Sequence, residues 1–182
     1  MCAARKSTQM KLTEAIHLIK PAFVGNIGSQ TWADLGCGTG LFTKALATLL
    51  GRESNIYAVD YEDQLINSER GIAAIEFMKL NFIDDTLPFA ALNGILMANS
   101  LHYVKDKISF IRKLYHHLAP DGRFIIVEYD TTRANTWVPY PITFDHLAAV
   151  FTELGFGKIQ RIGERNSIYR SGKMYACLIE PV

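Results

Sequence analysis

Compact apolar runs alternate with helical stripes along most of the chain. Runs typical of strands buried in a sheet lie at 31–35, 55–59, 75–80, 95–98 and 124–127. Apolar residues recur at helical spacing at 41–50, 108–118 and 144–154, and residues 62–70 indicate a short polar helix. Strands that alternate with helices in this way predict a mostly parallel sheet with right-handed crossovers.

The two ends of the chain depart from that alternation. Residues 1–29 combine a polar start with an amphipathic helix whose apolar positions are Leu12, Ile16, Leu18, Ile19 and Phe23. Near the other end, strand candidates at 158–162 and 174–179 are joined by a short polar loop, which predicts an antiparallel hairpin. We therefore expect a single domain over residues 1–182, with an N-terminal helical cap at 1–29 and an α/β core at 30–182.

Composition and charge exclude several classes of protein. With 49% hydrophobic residues, 20% charged residues and a formal net charge of +1, the chain has the balance of a globular protein. It lacks the charge excess of proteins that bind nucleic acid or an anionic membrane, so neither partner is expected. The most apolar stretch, 89–104, is too short and too polar to span a bilayer, and no signal-peptide core follows the N-terminus.

Three cysteines, Cys2, Cys37 and Cys177, stand far apart in the sequence. Their spacing forms neither a disulfide framework nor a zinc motif, so no metal site is expected and a reducing cytoplasm fits best. We therefore expect a soluble, cytoplasmic protein. The basic residues that gather late in the chain are expected on a solvated face of the last two strands; they are Lys158, Arg161, Arg165, Arg170 and Lys173.

The strongest chemical signal is the segment Asp34-Leu35-Gly36-Cys37-Gly38-Thr39-Gly40, between the first strand and its helix. Glycines let the backbone turn sharply and approach a ligand closely, and the N-terminus of the following helix favours a carboxylate or phosphate. A dinucleotide fingerprint, Gly-x-Gly-x-x-Gly, would place its third glycine at position 41. That position is Leu41 and the third glycine is Gly40, so the spacing disfavours a nicotinamide cofactor.

A second signal is Asp60, which ends the second strand and lies 20 residues beyond Gly40 (60 − 40). A carboxylate at that place can accept hydrogen bonds from both ribose hydroxyls of an adenosine. An isolated Asp at a strand end is more often a helix cap. Behind a glycine-rich turn between strand and helix, the ribose contact is the favoured interpretation.

In four motifs the chain resembles the class I S-adenosylmethionine-dependent methyltransferases, over roughly residues 30–180. Two motifs are the glycine loop with its acidic residue, Asp34, and the second-strand Asp60. The other two are Asn99-Ser100-Leu101-His102-Tyr103 after the fourth strand and Leu118-Ala119-Pro120-Asp121-Gly122 before the fifth. The resemblance implies a Rossmann-like three-layer α/β sandwich, whose seven-stranded, mostly parallel sheet has the order 3-2-1-4-5-7-6 with strand 7 antiparallel.

The resemblance also implies S-adenosylmethionine as the cofactor. The glycine loop, from Asp34 through Gly36, Cys37 and Gly38 to Gly40, would hold its methionine part, and Asp60 would hold its ribose. Tyr61 beside the ribose or adenine and Asn99 after the fourth strand complete the predicted cofactor contacts on this side.

An adenine contact is expected after the third strand. Asn81-Phe82 is the preferred match, because it follows the strand directly and an amide oxygen can accept the adenine amino hydrogen. Asp84 and Asp85 are the alternatives.

The methyl acceptor is expected to be a small molecule bound at the same edge of the sheet. His102 follows the fourth strand and Glu128 ends the fifth, and either side chain could serve as a base. Tyr140, with Trp137, belongs to an aromatic, proline-stiffened loop over that edge. We predict His102, Glu128 and Tyr140 as catalytic residues; the alternative is that His102 caps the fourth strand and that the aromatic residues anchor their loop.

Two subtypes of the family are disfavoured. An Asp/Asn-Pro-Pro-aromatic motif is absent, because Asn99 is followed by Ser100 and Leu101, and no Pro-Cys nucleophile is present. The expected function is methyl transfer from S-adenosylmethionine to a small molecule. Two alternatives stay open: a cofactor-binding module without catalysis and, less favoured, a nicotinamide-dependent oxidoreductase. The sequence predicts neither the acceptor nor the oligomeric state.

Overall fold

The computed structural model describes residues 10–25, 28–166 and 172–182. Its seven strands form a sheet with the order β3-β2-β1-β4-β5-β7-β6. They are β1 Thr31–Leu35, β2 Asn55–Asp60, β3 Ala74–Lys79, β4 Leu92–Ala98, β5 Leu118–Tyr129, β6 Lys158–Asn166 and β7 Lys173–Glu180. Strands β1 to β5 pair in parallel, whereas β7 is antiparallel to both β5 and β6. The predicted fold class and the antiparallel pairing of the last two strands are confirmed.

Within the described residues, four helices cover the two faces of the sheet. They are α1 Leu12–Ile19, α2 Leu41–Leu50, α3 Lys107–Tyr115 and α4 Phe144–Glu153, with 3₁₀ helices at Lys20–Phe23 and Leu101–Tyr103. Side chains of α1 and α2 pack on one face, and those of α3 and α4 pack on the other. In the described part of the chain, no helix has the length and apolar character needed to cross a membrane.

Successive strand residues reach opposite faces, and this alternation decides which side chains share a pocket. On β5, Phe124 and Ile126 belong to the core under α3 and α4, whereas Ile125 and Val127 belong to the core under α1 and α2. A cavity on one face can therefore be lined by only every second residue of a strand.

The predicted helix over residues 62–70 is wrong. The segment is irregular, and the Ser68 hydroxyl both donates to the Ile75 carbonyl at 3.1 Å and accepts the Ile75 N–H at 2.9 Å. Of these nine residues, Ile66 alone is buried, against Cys37 and Ala58. A helix here would have no apolar stripe to pack, and the serine offers the backbone a different partner.

The helical stripe predicted over 108–118 ends early, because α3 stops at Tyr115 and Leu118 already pairs with Leu92 in β5. The register then shifts, so that the next paired residues are Gly94 and Arg123. The Pro120-Asp121-Gly122 segment is thus an irregularity within β5, with its proline and aspartate exposed, rather than a turn that ends a helix.

Candidate active site

A cavity of about 850 Å³ lies at the carboxyl ends of β1, β2, β4 and β5, on the face covered by α1 and α2. Parallel sheets bind ligands at this edge, near the point where the strand order reverses. All ten sequence-predicted cofactor residues are close to this edge, and nine of them line the cavity; Gly40 is the exception.

In the loop after β1, positions 36 and 38 each require a glycine for a different physical reason. A Cβ on Gly36 would lie 2.4 Å from the Cβ of Ser100, so a side chain there would separate β1 from the end of β4. Gly38 has a φ of +50° and no heavy atom within 4 Å of its would-be Cβ, although it lines the cavity. A side chain at Gly38 would therefore occupy ligand space in a strained backbone conformation.

Asp60 is fixed by backbone groups on both sides of its carboxylate. Oδ2 accepts the Gly38 N–H at 2.7 Å and Oδ1 accepts the Glu62 N–H at 3.0 Å. A carboxylate has about four acceptor sites, so each oxygen retains capacity for one hydroxyl of a ribose. The same bonds tie the end of β2 to the glycine loop, while Tyr61 stands exposed at the cavity rim.

Asp34 is fully buried between β1 and α2. Its Oδ2 accepts the Thr43 hydroxyl at 2.6 Å, whereas Oδ1 has no protein partner. Burial raises the pKa of Asp34 to about 7, and the nearby charge of Asp60 adds to the shift while the Thr43 hydroxyl opposes it. A buried acid with one unpartnered oxygen stabilises a cationic donor that enters the cavity.

Asn99 holds a left-handed backbone conformation, with a φ of 56°. Its N–H donates to the Val127 carbonyl at 2.8 Å, and its Oδ1 is buried without a protein partner. Strained residues with unsatisfied polar atoms are typical of functional sites. The neighbouring Ser100 hydroxyl donates to the Leu35 carbonyl at 2.5 Å, which ties the ends of β1 and β4 together.

After β3, the cavity is lined by Asn81, Phe82 and Ile83 and not by Asp84 or Asp85. Both aspartates instead accept hydrogen bonds from Asn81, Asp84 from its side-chain amide and Asp85 from its backbone N–H, each at 2.8 Å. Phe82 is buried against Phe110 and Ile83 supplies a further apolar surface. Asn81 and Phe82 therefore line the cavity whereas Asp84 and Asp85 do not, and Ile83 is a lining residue that sequence reasoning missed.

Cys37 also lines the cavity. Burial, with the charges of Asp34 and Asp60, raises the pKa of its thiol, so the reactive thiolate is disfavoured. Cys177 is buried in β7, where burial raises its pKa to about 12. Cys2 lies outside the described residues.

His102 and Glu128 form a buried pair. Glu128 Oε1 accepts the His102 N–H at 3.0 Å, and Oε2 lies 2.8 Å from His102 Nδ1. Neither side chain lines the cavity, because Glu128 faces the core under α3 and α4 together with its cross-strand neighbour Tyr175. The structure therefore brings the two predicted residues together but separates them from the cavity.

Tyr140 does not line the cavity either, and its side chain is 40% exposed. Its backbone is held in place: its N–H donates to the His102 carbonyl at 3.0 Å, and its carbonyl accepts from Lys107 Nζ at 2.8 Å. Trp137 in the same loop is 74% exposed. The loop is thus anchored through Tyr140 main-chain atoms beside the cavity.

Sequence reasoning missed the residues that do line the far side of the cavity. We call this set the acceptor wall; it consists of Met10, Tyr103, Tyr129, Arg165 and Met174. Arg165 is a correction, since it was expected on a solvated face, yet its side chain is only 18% exposed and is paired with Glu14. The alternation of side chains along a strand was the signal available in the sequence. Tyr129 faces the cavity because it follows Glu128, whose side chain points to the opposite face.

A mostly parallel sheet in this order, with β7 antiparallel, a glycine loop after β1 and a carboxylate ending β2, defines the fold of a class I methyltransferase. A family model described as a methyltransferase domain matches residues 33–124, which is 92 of the 182 residues (124 − 33 + 1). The chain belongs to this family, whose cofactor is S-adenosylmethionine.

Relatives of known function are longer than this chain. A ubiquinone/menaquinone biosynthesis C-methyltransferase of Klebsiella pneumoniae is 26% identical over 162 residues, which cover 84% of this chain and 59% of the relative. The corresponding enzyme of Vibrio vulnificus is 23% identical over 142 residues, 74% of this chain and 51% of its own length. The chain therefore spans just over half the length of these relatives.

Solved structures show the same fold. A methyltransferase of Aquifex aeolicus superposes with a TM-score of 0.65 at 14% identity, over 96% of this chain and 100% of its own. A 1,6-didemethyltoxoflavin N1-methyltransferase of Burkholderia thailandensis superposes with a TM-score of 0.66 at 18% identity, over 94% of this chain and 78% of its own.

The residues of the cavity fit S-adenosylmethionine. Gly38 leaves open space beside the loop, and Asp60 keeps acceptor capacity for ribose hydroxyls. The unpartnered Oδ1 atoms of Asp34 and Asn99 belong to residues that line the same cavity, and they match the ammonium group of a methionine.

Proposed function

We propose that this chain transfers a methyl group from S-adenosylmethionine to a small-molecule acceptor. The observation that carries the proposal is a single cavity that joins the glycine loop and Asp60 to the acceptor wall. Its volume of about 850 Å³ lies at the upper end of the usual range for ligand pockets, which gives room for a cofactor and a small acceptor side by side.

The cofactor, when bound, supplies an electrophilic methyl group on a positively charged sulfur. The residues of this chain bind and orient the two reactants: Asp60 fixes the ribose, and Asp34 with Asn99 accepts from the ammonium group. Tyr103, Tyr129 and Met174 give the acceptor a largely apolar surface that excludes water. Holding two reactants in line removes much of the entropic barrier to their reaction.

For His102 and Glu128 we propose a positioning role in place of direct contact with the acceptor. The His102 ring lies 4.5 Å from the Tyr103 ring and 6.4 Å from the Tyr129 ring, centroid to centroid. Because both tyrosines belong to the acceptor wall, the buried pair fixes that wall from behind. For Tyr140 we propose that it anchors its loop, in place of the predicted catalytic role.

The test is incubation of the full chain with methyl-labelled cofactor and a metabolite extract, followed by identification of the labelled product. The expected result is one labelled small molecule, formed together with S-adenosylhomocysteine and absent with the Gly38→Val variant. Binding of S-adenosylhomocysteine without any labelled product would favour the alternative of a cofactor-binding module. The relatives are named for carbon and nitrogen methylation, so the methylated atom should be assigned by NMR.

The remaining sequence-based expectations are part of the same proposal. We propose that residues 1–182 form one domain, that the protein acts in the cytoplasm, and that neither nucleic acid nor a membrane is its partner. Equal activity in the presence and absence of added nucleic acid and lipid vesicles would support the last point.

A further inference from the structure

One row of side chains crosses three strands in the acceptor wall. Tyr129 at the end of β5 lies directly opposite Met174 on β7, and Met174 lies directly opposite Arg165 on β6. Opposed residues of antiparallel strands project from the same face, and all three line the cavity. An aromatic ring, a thioether and a guanidinium group therefore follow one another along the wall.

Arg165 is the one cationic side chain among the described residues that line the cavity, while Asp34, Asp60 and Glu62 line its cofactor end. Its guanidinium nitrogen Nη2 donates to Glu14 Oε1 at 2.9 Å, and Glu14 Oε2 accepts the Lys11 N–H at 2.7 Å. Glu14 is thus fixed at the start of α1 and fixes the guanidinium in turn. A guanidinium has five N–H donors in a planar fork, so this contact leaves donors for a second anion.

We propose that the acceptor is a planar, largely apolar ring that carries a carboxylate, with the ring against Tyr103, Tyr129 and Met174 and the carboxylate on Arg165. This inference rests on the proposed function. Tyrosine and methionine side chains suit the face and edge of a flat ring, and a guanidinium fork matches a carboxylate through two parallel bonds. Because Glu14 already offsets much of the charge of Arg165, the site suits a singly charged carboxylate better than a doubly charged phosphate.

The contacts predict opposite effects of two substitutions. Arg165→Gln removes the charge and the fork, so affinity for a carboxylate-bearing ring should fall at least tenfold, with partial recovery in Arg165→Lys. Glu14→Gln removes the competing carboxylate beside Arg165, so affinity for the same ring should rise several-fold. Lys158→Gln is the matched control, because Lys158 lies near the far end of β6, pairs with Glu180 and does not line the cavity.

The experiment is calorimetric titration of the full chain, first with S-adenosylhomocysteine and then, in the saturated complex, with three aromatic acids and their amides. The pairs are 4-hydroxybenzoate, 3,4-dihydroxybenzoate and 2-naphthoate, each matched with its carboxamide. We expect at least one acid to bind ten times more tightly than its amide, and Arg165→Gln to abolish that difference while Lys158→Gln preserves it.

Three results would overturn the inference. The first is that no acid binds better than its amide, and the second is that Arg165→Gln weakens acid and amide equally. The third is that Arg165→Gln weakens S-adenosylhomocysteine itself, which would assign Arg165 to the carboxylate of the cofactor. Failure of the wild-type chain to bind S-adenosylhomocysteine would remove the proposed function, and this inference with it, and the first titration alone reveals that case.

Discussion

Asp34 couples the cavity to the stability of the fold. Its pKa rises from 3.8 to about 7 on burial, so between these pH values the unfolded chain has lost this proton while the folded chain retains it. The free energy of unfolding therefore decreases as the pH rises through this range, by up to about 1.4 kcal/mol per pH unit. Above pH 7 Asp34 is ionised in both the folded and the unfolded chain, and its cost to the free energy of unfolding becomes constant.

Asp34→Asn should remove this dependence, because an amide keeps an acceptor for the Thr43 hydroxyl and does not ionise. We expect the variant to gain stability relative to wild type as the pH is raised from 5 to 7, measured by urea unfolding at each pH. Asp63→Asn, an exposed residue paired with Lys79, is the control and should follow wild type. Parallel curves for Asp34→Asn and wild type would show that Asp34 is already ionised in the folded state.

Asp60 and Gly38 test the cofactor site. Asp60→Ala should weaken S-adenosylhomocysteine binding tenfold or more, because hydrogen bonds to a charged group contribute about 1.5–3 kcal/mol each. Gly38→Val should weaken it further, since a branched side chain would enter the open space at a positive φ. Calorimetry gives both affinities, and Asp63→Ala is the matched control. Unchanged binding in Asp60→Ala would place the ribose elsewhere.

At the scale of residues, nine of the ten predicted cofactor residues line the cavity, whereas His102, Glu128 and Tyr140 do not, and this difference has a physical reason. The glycine loop and Asp60 form a local pattern, and local spacing determines which backbone groups face the ligand. The acceptor wall instead combines Met10, Tyr103 and Arg165 from segments far apart in the chain, and no local spacing brings them together. Tyr129 lines the cavity and Glu128 does not, because neighbouring residues of a strand face opposite sides of the sheet.

Among the elements, the irregular segment 62–70 supports the glycine loop. Ile66 atoms lie 3.0 Å from a would-be Cβ of Gly40, and Ile66 packs on Cys37 and Ala58. Ile66→Ala should therefore cost about 2 kcal/mol or more in the free energy of unfolding. Its neighbour Leu65 is 98% exposed, so Leu65→Ala should stay within about 0.5 kcal/mol of wild type. Equal effects of the two variants in urea unfolding would contradict this packing.

Glu128 at the end of β5 contacts the 3₁₀ helix Leu101–Tyr103, and a substitution there tests whether this contact positions Tyr103. Glu128→Gln replaces an acceptor of the His102 hydrogen bonds by an amide NH₂, so the Tyr103 ring should lose its fixed position. We expect kcat to fall about tenfold or more while the affinity for S-adenosylhomocysteine stays unchanged, which is the pattern of a group that acts on the transition state. Glu153→Gln, on the exposed side of α4, controls for the loss of a charge.

An effect of Glu128→Gln on cofactor affinity as large as its effect on kcat would mean that the pair supports the whole site.

The elements themselves show where periodicity suffices for prediction. Strands β1, β2, β4 and β7 and helix α2 have apolar runs or stripes that match their burial, and each formed close to its predicted position. Strands β3 and β6 formed without any buried residue. Residues 62–70 bury one apolar side chain, so tertiary contacts rather than periodicity determine their path.

For the whole molecule, strand order and charge distribution act together. The reversal of strand order between β1 and β4 opens the cavity, carboxylates of β1 and β2 lie at one end, and Arg165 of β6 lies at the other. A net charge of +1 gives no hint of this separation, because the opposite charges cancel in the sum. The strand order assigns the negative and positive side chains to opposite ends of one site, and the four sequence motifs together implied that order.

The spacing of the glycine loop predicts which cofactor stabilises the protein. S-adenosylmethionine and S-adenosylhomocysteine should raise the melting temperature, whereas NAD and NADP should not, because Gly40 rather than residue 41 ends the glycine pattern. A ligand at 100 times its Kd stabilises the folded state by about 2.7 kcal/mol, which for a chain of this size shifts Tm by about 5–10 °C. Gly38→Val should melt without any shift on addition of S-adenosylmethionine or S-adenosylhomocysteine, which separates specific binding from a solvent effect. Stabilisation by NADP alone would return the chain to the oxidoreductase alternative.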